Sequence, residues 1–138
     1  MEKKEIIEKL KSIGVAHLAT VEDGKPRVRA MAIYRIEEDG IIIQTFKSKE
    51  VCRELEQSPE VELCFNSFDE GLQIRVRGPV KPMENEKELQ EECLKERQFL
   101  KKFVDQGEEM AFFLMKDGMA HIWTVEKNLE PKSFVKIC

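Results

Sequence analysis

The sequence predicts a mainly β fold: a small antiparallel barrel with helices inserted between its strands, built as one domain over residues 1–138. Three observations lead there. Apolar and polar residues alternate in runs such as Val61-Glu62-Leu63-Cys64-Phe65 and Leu72-Gln73-Ile74-Arg75-Val76-Arg77, the period-2 signature of a half-buried strand. Asp-Gly pairs at 23–24, 39–40 and 117–118 each separate two extended runs, and glycine tolerates the positive φ of a tight hairpin turn. A chain of 138 residues is about the size of one domain. With so few strands, closure into a barrel removes the exposed edges.

The elements follow in order. Ile6, Ile7, Leu10 and Ile13 recur at helical spacing, with Gly14 as the stop, so the chain opens with an amphipathic helix. Val15 to Val21 and Pro26 to Ile36 form the first predicted hairpin around Asp23-Gly24, and Ile41 to Phe46 follows the second Asp-Gly turn. Ser48 is placed to cap a short helix that ends before Pro59. Two alternating strands come next, the second bent at its end by Gly78-Pro79. Asn85 opens a long polar helix with Leu89, Cys93, Leu100, Phe103 and Val104 near one stripe, closed by Gln106-Gly107. Phe112–Lys116 and Met119–Val125 make the third predicted hairpin, giving six or seven strands in all.

Composition narrows the function classes. The chain is 41% hydrophobic and 36% charged, with 23 Lys+Arg against 27 Asp+Glu and a net charge of −4. A nucleic-acid-binding domain usually carries a basic footprint, so nucleic acid is not expected as a partner. Apolar runs are only a few residues long, and Met1-Glu2-Lys3-Lys4-Glu5 leads straight into an amphipathic pattern, so neither secretion nor a membrane partner is expected. Cysteines 52, 64, 93 and 138 form no C-x-x-C, and His17 and His121 have no zinc-ligand spacing, so no metal is expected. They read as reduced thiols of a cytoplasmic protein.

Charge is uneven along the chain. From Lys25 to Arg53 seven basic residues face four acidic ones, a net +3 inside an acidic protein. Strand period puts Lys25, Arg27 and Arg29 on one face, while Ser48 and Lys49 stand at a helix N-terminus, where free N–H groups favour an anion. An arginine fork, a lysine and a helix N-terminus make a phosphate site; a solvated basic face is the alternative reading of the same residues.

The order of segments decides between them. Gly14-Val15-Ala16-His17-Leu18-Ala19-Thr20-Val21-Glu22-Asp23-Gly24-Lys25-Pro26-Arg27-Val28-Arg29 resembles the opening hairpin of the pyridoxamine 5′-phosphate oxidase-like FMN-binding split barrels of the general stress protein type. The likeness continues through Gln44-Thr45-Phe46-Lys47-Ser48-Lys49, Leu55, Ser58-Pro59-Glu60-Val61 and Gln73-Ile74-Arg75-Val76-Arg77-Gly78. It covers residues 10–80 well and the remainder loosely.

The resemblance implies a homodimer of six-stranded split barrels with FMN in grooves at the subunit interface. On that basis Arg29, Ala30, Met31, Ala32, Ile33 and Tyr34 line the flavin, and Gln44 and Thr45 contact its ring or ribityl chain. Ser48 and Lys49 hold the phosphate, Gln73 bonds the flavin from the opposite wall, and Trp123 offers an aromatic contact from the partner subunit. The oxidase's C-terminal Arg-x-His has no counterpart, which argues against vitamin-B6 chemistry, and Gln44-Thr45 stands where nitroimidazole reductases typically carry a histidine. The expectation is a small flavin-dependent oxidoreductase or flavin reductase exchanging electrons with small-molecule donors and acceptors, its catalytic acid or base unassigned. A non-catalytic carrier or redox sensor of flavin, haem or deazaflavin is the alternative.

Overall fold

The computed structural model describes residues 1–138. The helices are α1 (Lys3–Ile13), α2 (Glu50–Gln57), α3 (Glu86–Glu96) and α4 (Lys101–Asp105). The strands are β1 (Val15–Glu22), β2 (Lys25–Ala32), β3 (Arg35–Glu37), β4 (Gly40–Phe46), β5 (Glu60–Ser67), β6 (Leu72–Pro82), β7 (Met110–Met115), β8 (Met119–Thr124) and β9 (Val135–Lys136). The mainly β antiparallel class therefore holds, with nine strands where six or seven are expected. None of the helices is long and apolar enough to cross a membrane.

The strands are hydrogen-bonded in the order β2-β1-β5-β6-β7-β4-β3, and β8 adds to β6. The long strand β6 joins the two halves of the barrel. Its first part, Leu72 to Arg77, pairs with β8, and its last part, Val80 to Pro82, pairs with β7. Gly78 marks the change of partner, because a Cβ there would sit 2.6 Å from the Asp117 carbonyl oxygen. The strand runs on through Gly78-Pro79 instead of ending there.

Two of the three predicted hairpins form. At the first, Asp23 and Gly24 both adopt positive φ, of 50° and 76°, as a type I′ turn requires. At the second, β3 pairs with β4 from Glu37 opposite Gly40. The third does not form: β7 and β8 flank β6 on different stretches, and Asp117-Gly118 turns the chain from one sheet into the other. Asp-Gly encodes the turn; β6 decides the pairing. The run Pro26–Ile36 also breaks, at Ile33-Tyr34, where Ile33 N–H donates to the Gly14 carbonyl and both side chains turn inward.

The barrel core is filled by Leu18, Ile41, Ile43, Leu63, Phe65, Ile74, Val76, Val80, Phe113 and Met115. Helix α1 plugs it with Ile6, Ile7 and Leu10, and α2 with Val51 and Leu55. A smaller cluster of Tyr34, Leu89, Cys93, Leu100, Met110 and Phe112 fixes α3 against the outside of β7. The expected long polar helix is interrupted after Glu96, and the kink around Gln98–Leu100 carries Arg97 and Phe99 toward the end of β4.

Candidate functional site

The ends of β2 and β4 approach one another beside the start of α2, and the α3–α4 connection covers them. Between these elements lies a groove of about 210 Å³ lined by Met31, Ala32, Gln44, Thr45, Lys49, Arg97 and Phe99. A second cavity, of about 370 Å³, adjoins it through Phe46, Lys49 and Leu100, and adds Ser48, Phe103, Gln106 and Glu108. Met31, Ala32, Gln44, Thr45 and Lys49 are thus brought together in one groove, with Ser48 next door.

The polar groups of the groove are held in different ways. Gln44 is buried and its Nε2 donates to the Thr45 carbonyl at 2.9 Å, which leaves its Oε1 as an acceptor. Thr45 is 3% exposed and its Oγ1 has no hydrogen-bond partner. A buried hydroxyl without a partner costs roughly 1–3 kcal/mol, so this atom is a ready ligand contact. Lys49 and Arg97 line the groove without a carboxylate partner, whereas the neighbouring Lys47 is held by Glu86 and Glu109. Arg97 is steered by the Ala32 carbonyl, 3.5 Å from its Nη2, and its guanidinium lies 5.4 Å from the Tyr34 ring centre. Arg35, whose guanidinium lies 4.2 Å from the same ring centre, forms a two-pronged pair with Glu96, tying α3 to the β2–β3 corner.

The other residues named from the sequence lie elsewhere. Arg29 does not line the groove: it donates to the Leu18 carbonyl at 3.2 Å, to Thr20 Oγ1 at 2.7 Å and to Glu54 at 2.5 Å. Ala30 is opposite His17 on the outer face of the sheet. Ile33 packs in the barrel core and Tyr34 in the smaller cluster under α3. Ser48 is not the cap of α2; Lys49 holds the N-cap position, and Ser48 Oγ donates to Glu108 at 2.6 Å. Gln73 donates to Asn66 at 2.9 Å and is the cross-strand neighbour of Trp123, whose indole N–H donates to Asn128. Neither lines the groove of its own chain. Sequence reading missed Arg97, Phe99 and Leu100. Their one signal is the charged Glu96-Arg97 pair that interrupts the apolar stripe between Cys93 and Leu100.

Comparison with known proteins gives the family and the fold. The sequence pattern of the family described as pyridoxamine 5′-phosphate oxidase matches residues 2–125, and the chain belongs to that family. A pyridoxine/pyridoxamine 5′-phosphate oxidase from Bradyrhizobium sp. is 36% identical over 70 residues. That match takes in 50% of this chain and only 32% of the curated relative. Among solved structures, a NimC/NimA family protein from Clostridium acetobutylicum superposes with a TM-score of 0.75 at 27% identity, covering 96% of this chain and 91% of that one. A pyridoxamine 5′-phosphate oxidase-related, FMN-binding protein from Nostoc punctiforme gives a TM-score of 0.63 at 15% identity, covering 96% and 84%. The second likeness supports the fold alone.

Proposed function

We propose that this chain binds FMN in the groove between β2, β4 and α2 and acts, as a homodimer, as a small flavin-dependent oxidoreductase or flavin reductase. The carrying observation is the combination of two unpaired cations, Lys49 and Arg97, with the partnerless Thr45 hydroxyl in one groove. These groups suit a phosphorylated, polar-edged ring ligand. Lys49 would take the phosphate as a charge-assisted donor, and Ser48 would turn its hydroxyl from Glu108 to assist. Thr45 Oγ1 and Gln44 Oε1 would meet the polar edge of the ring, with Met31 and Ala32 as the apolar floor. Bound FMN would supply the electron-transfer chemistry, while the chain fixes orientation and keeps out water.

One chain does not enclose such a ligand. The groove and the cavity that adjoins it are both open to solvent on one side, so a second wall would complete the enclosure. The outer face of β1 and β2 exposes Val15, Val21 and Val28, the last at 68%, around Ala19 and Ala30, an apolar area suited to a second copy. Gln73 and Trp123 share that sheet's outer face, so each copy could present them to the other's groove.

The absorption spectrum of the purified protein, followed by addition of NAD(P)H and then a small acceptor, tests this reading. The expected record is a flavin spectrum that bleaches with reductant and returns with acceptor over repeated cycles. A bound flavin that never turns over would leave a carrier or sensor, and a protein that takes up no flavin would contradict the proposal.

A further inference from the structure

Glu54 is the one acidic side chain that folding buries, at 2% exposure, and it does so on helix α2 facing the β1–β2 hairpin. A carboxylate taken out of water must be paired and hydrogen-bonded to be tolerated. Here one of its oxygens receives both the Thr20 hydroxyl and the Arg29 guanidinium, each at 2.5 Å. Arg29 spends a second nitrogen on Thr20 Oγ1 and the Leu18 carbonyl, both on β1. Its fork is therefore turned into the protein and joins three elements: β2, which carries it, β1 and α2. Helix α2 begins at its N-cap Lys49, the same residue that lines both cavities of the groove.

From this geometry we infer that Arg29 serves the anion site as a positioning residue: through Glu54 it docks α2 on the hairpin and so sets Lys49 at the groove, without touching the ligand itself. The inference rests on the FMN reading of the groove and departs from the role that sequence resemblance gives Arg29. Direct contact predicts the opposite consequence of removing Glu54, because a released guanidinium would then be available to the phosphate. In the positioning arrangement the loss of Glu54 strands a half-buried cation and loosens α2.

Helix α2 carries its own reporter. Cys52 is 1% exposed, burial together with the Glu56 carboxylate pushes its thiol up to about 12, and an undocked helix would release both constraints. The experiment measures iodoacetamide labelling of Cys52, resolved by peptide mass spectrometry, alongside titration with FMN and riboflavin. The variants are Arg29→Met, Glu54→Leu and the paired Arg29→Met/Glu54→Leu, which replaces the ion pair with an apolar one. Either single change is expected to speed Cys52 labelling at least about fivefold and to weaken FMN at least about fivefold, leaving riboflavin within about twofold. The paired change restores Cys52 protection and FMN affinity together. A tighter or unchanged FMN affinity in Glu54→Leu overturns the inference. So does any variant that keeps Cys52 protected yet loses FMN, since the guanidinium is then needed at the phosphate itself. Failure of the unaltered chain to bind FMN contradicts the functional reading alone, because Cys52 labelling still reports whether the Arg29–Glu54 pair docks α2.

Discussion

Lys49 is the residue on which an anion site and an ordinary surface part company. It is the N-cap of α2, it lines both cavities, and no carboxylate holds it. A charge-assisted bond to a phosphate contributes ~1.5–3 kcal/mol, so Lys49→Ala is expected to weaken FMN by about tenfold or more. Riboflavin, which lacks the phosphate, should move by less than about twofold in the same calorimetric titration. Equal losses for both ligands would make Lys49 a support of the fold. Glu54 gives a second residue-scale expectation. Burial raises its carboxyl, but hydrogen bonds from Thr20 and Arg29 outweigh burial and hold it below its ordinary value of 4.5. A depressed carboxylate contributes stability that is present above its unfolded value and lost as pH falls through the folded one. The urea midpoint of the unaltered protein should therefore fall more steeply below about pH 4.5 than that of Glu54→Gln, and parallel curves would contradict the assignment.

At the scale of elements, the sequence was readable where structure is decided locally. Alternation marked β5 and β6, and Asp23-Gly24 encodes its own turn through two positive φ angles. The groove was half legible for the same reason, since Gln44, Thr45 and Lys49 lie within six consecutive residues. Pairing over long distance was not legible. Asp117-Gly118 has the same dipeptide as the first hairpin, yet its strands separate because β6 accepts them on different stretches. Arg97 escaped notice because a chain kink, and no motif, brings it to the groove. Arg29 shows the reverse: strand period put it correctly on the face of Arg27, but only the fold shows that buried Glu54 shares that face. The crossing of β6 past the Asp117 corner makes a direct prediction. A Cβ at residue 78 would meet the Asp117 carbonyl oxygen at 2.6 Å, a backbone atom with little room to yield. Gly78→Ala should cost about 1–3 kcal/mol in urea unfolding, as overpacking does elsewhere, and a neutral effect would mean that the two strands separate freely there.

At the scale of the molecule, the proposed flavin site needs walls from two copies. A single chain leaves the groove shallow and one apolar sheet face exposed, while Gln73 and Trp123 sit away from their own groove. Sedimentation at micromolar concentration should give about twice 16.1 kDa, and a stable monomer that still binds flavin would remove the need for a shared wall. Removal of Gln73's amide by Gln73→Leu should then weaken FMN by ~5- to 150-fold through the partner's groove, a loss of roughly 1–3 kcal/mol. The groove under the α3–α4 connection is the proposed flavin mononucleotide site. Calorimetric titration of the unaltered chain with FMN and with riboflavin tests it most directly. The expected result is about one FMN per chain, bound at least about tenfold more tightly than riboflavin. Absence of FMN binding, or equal affinity for the two ligands, would contradict it.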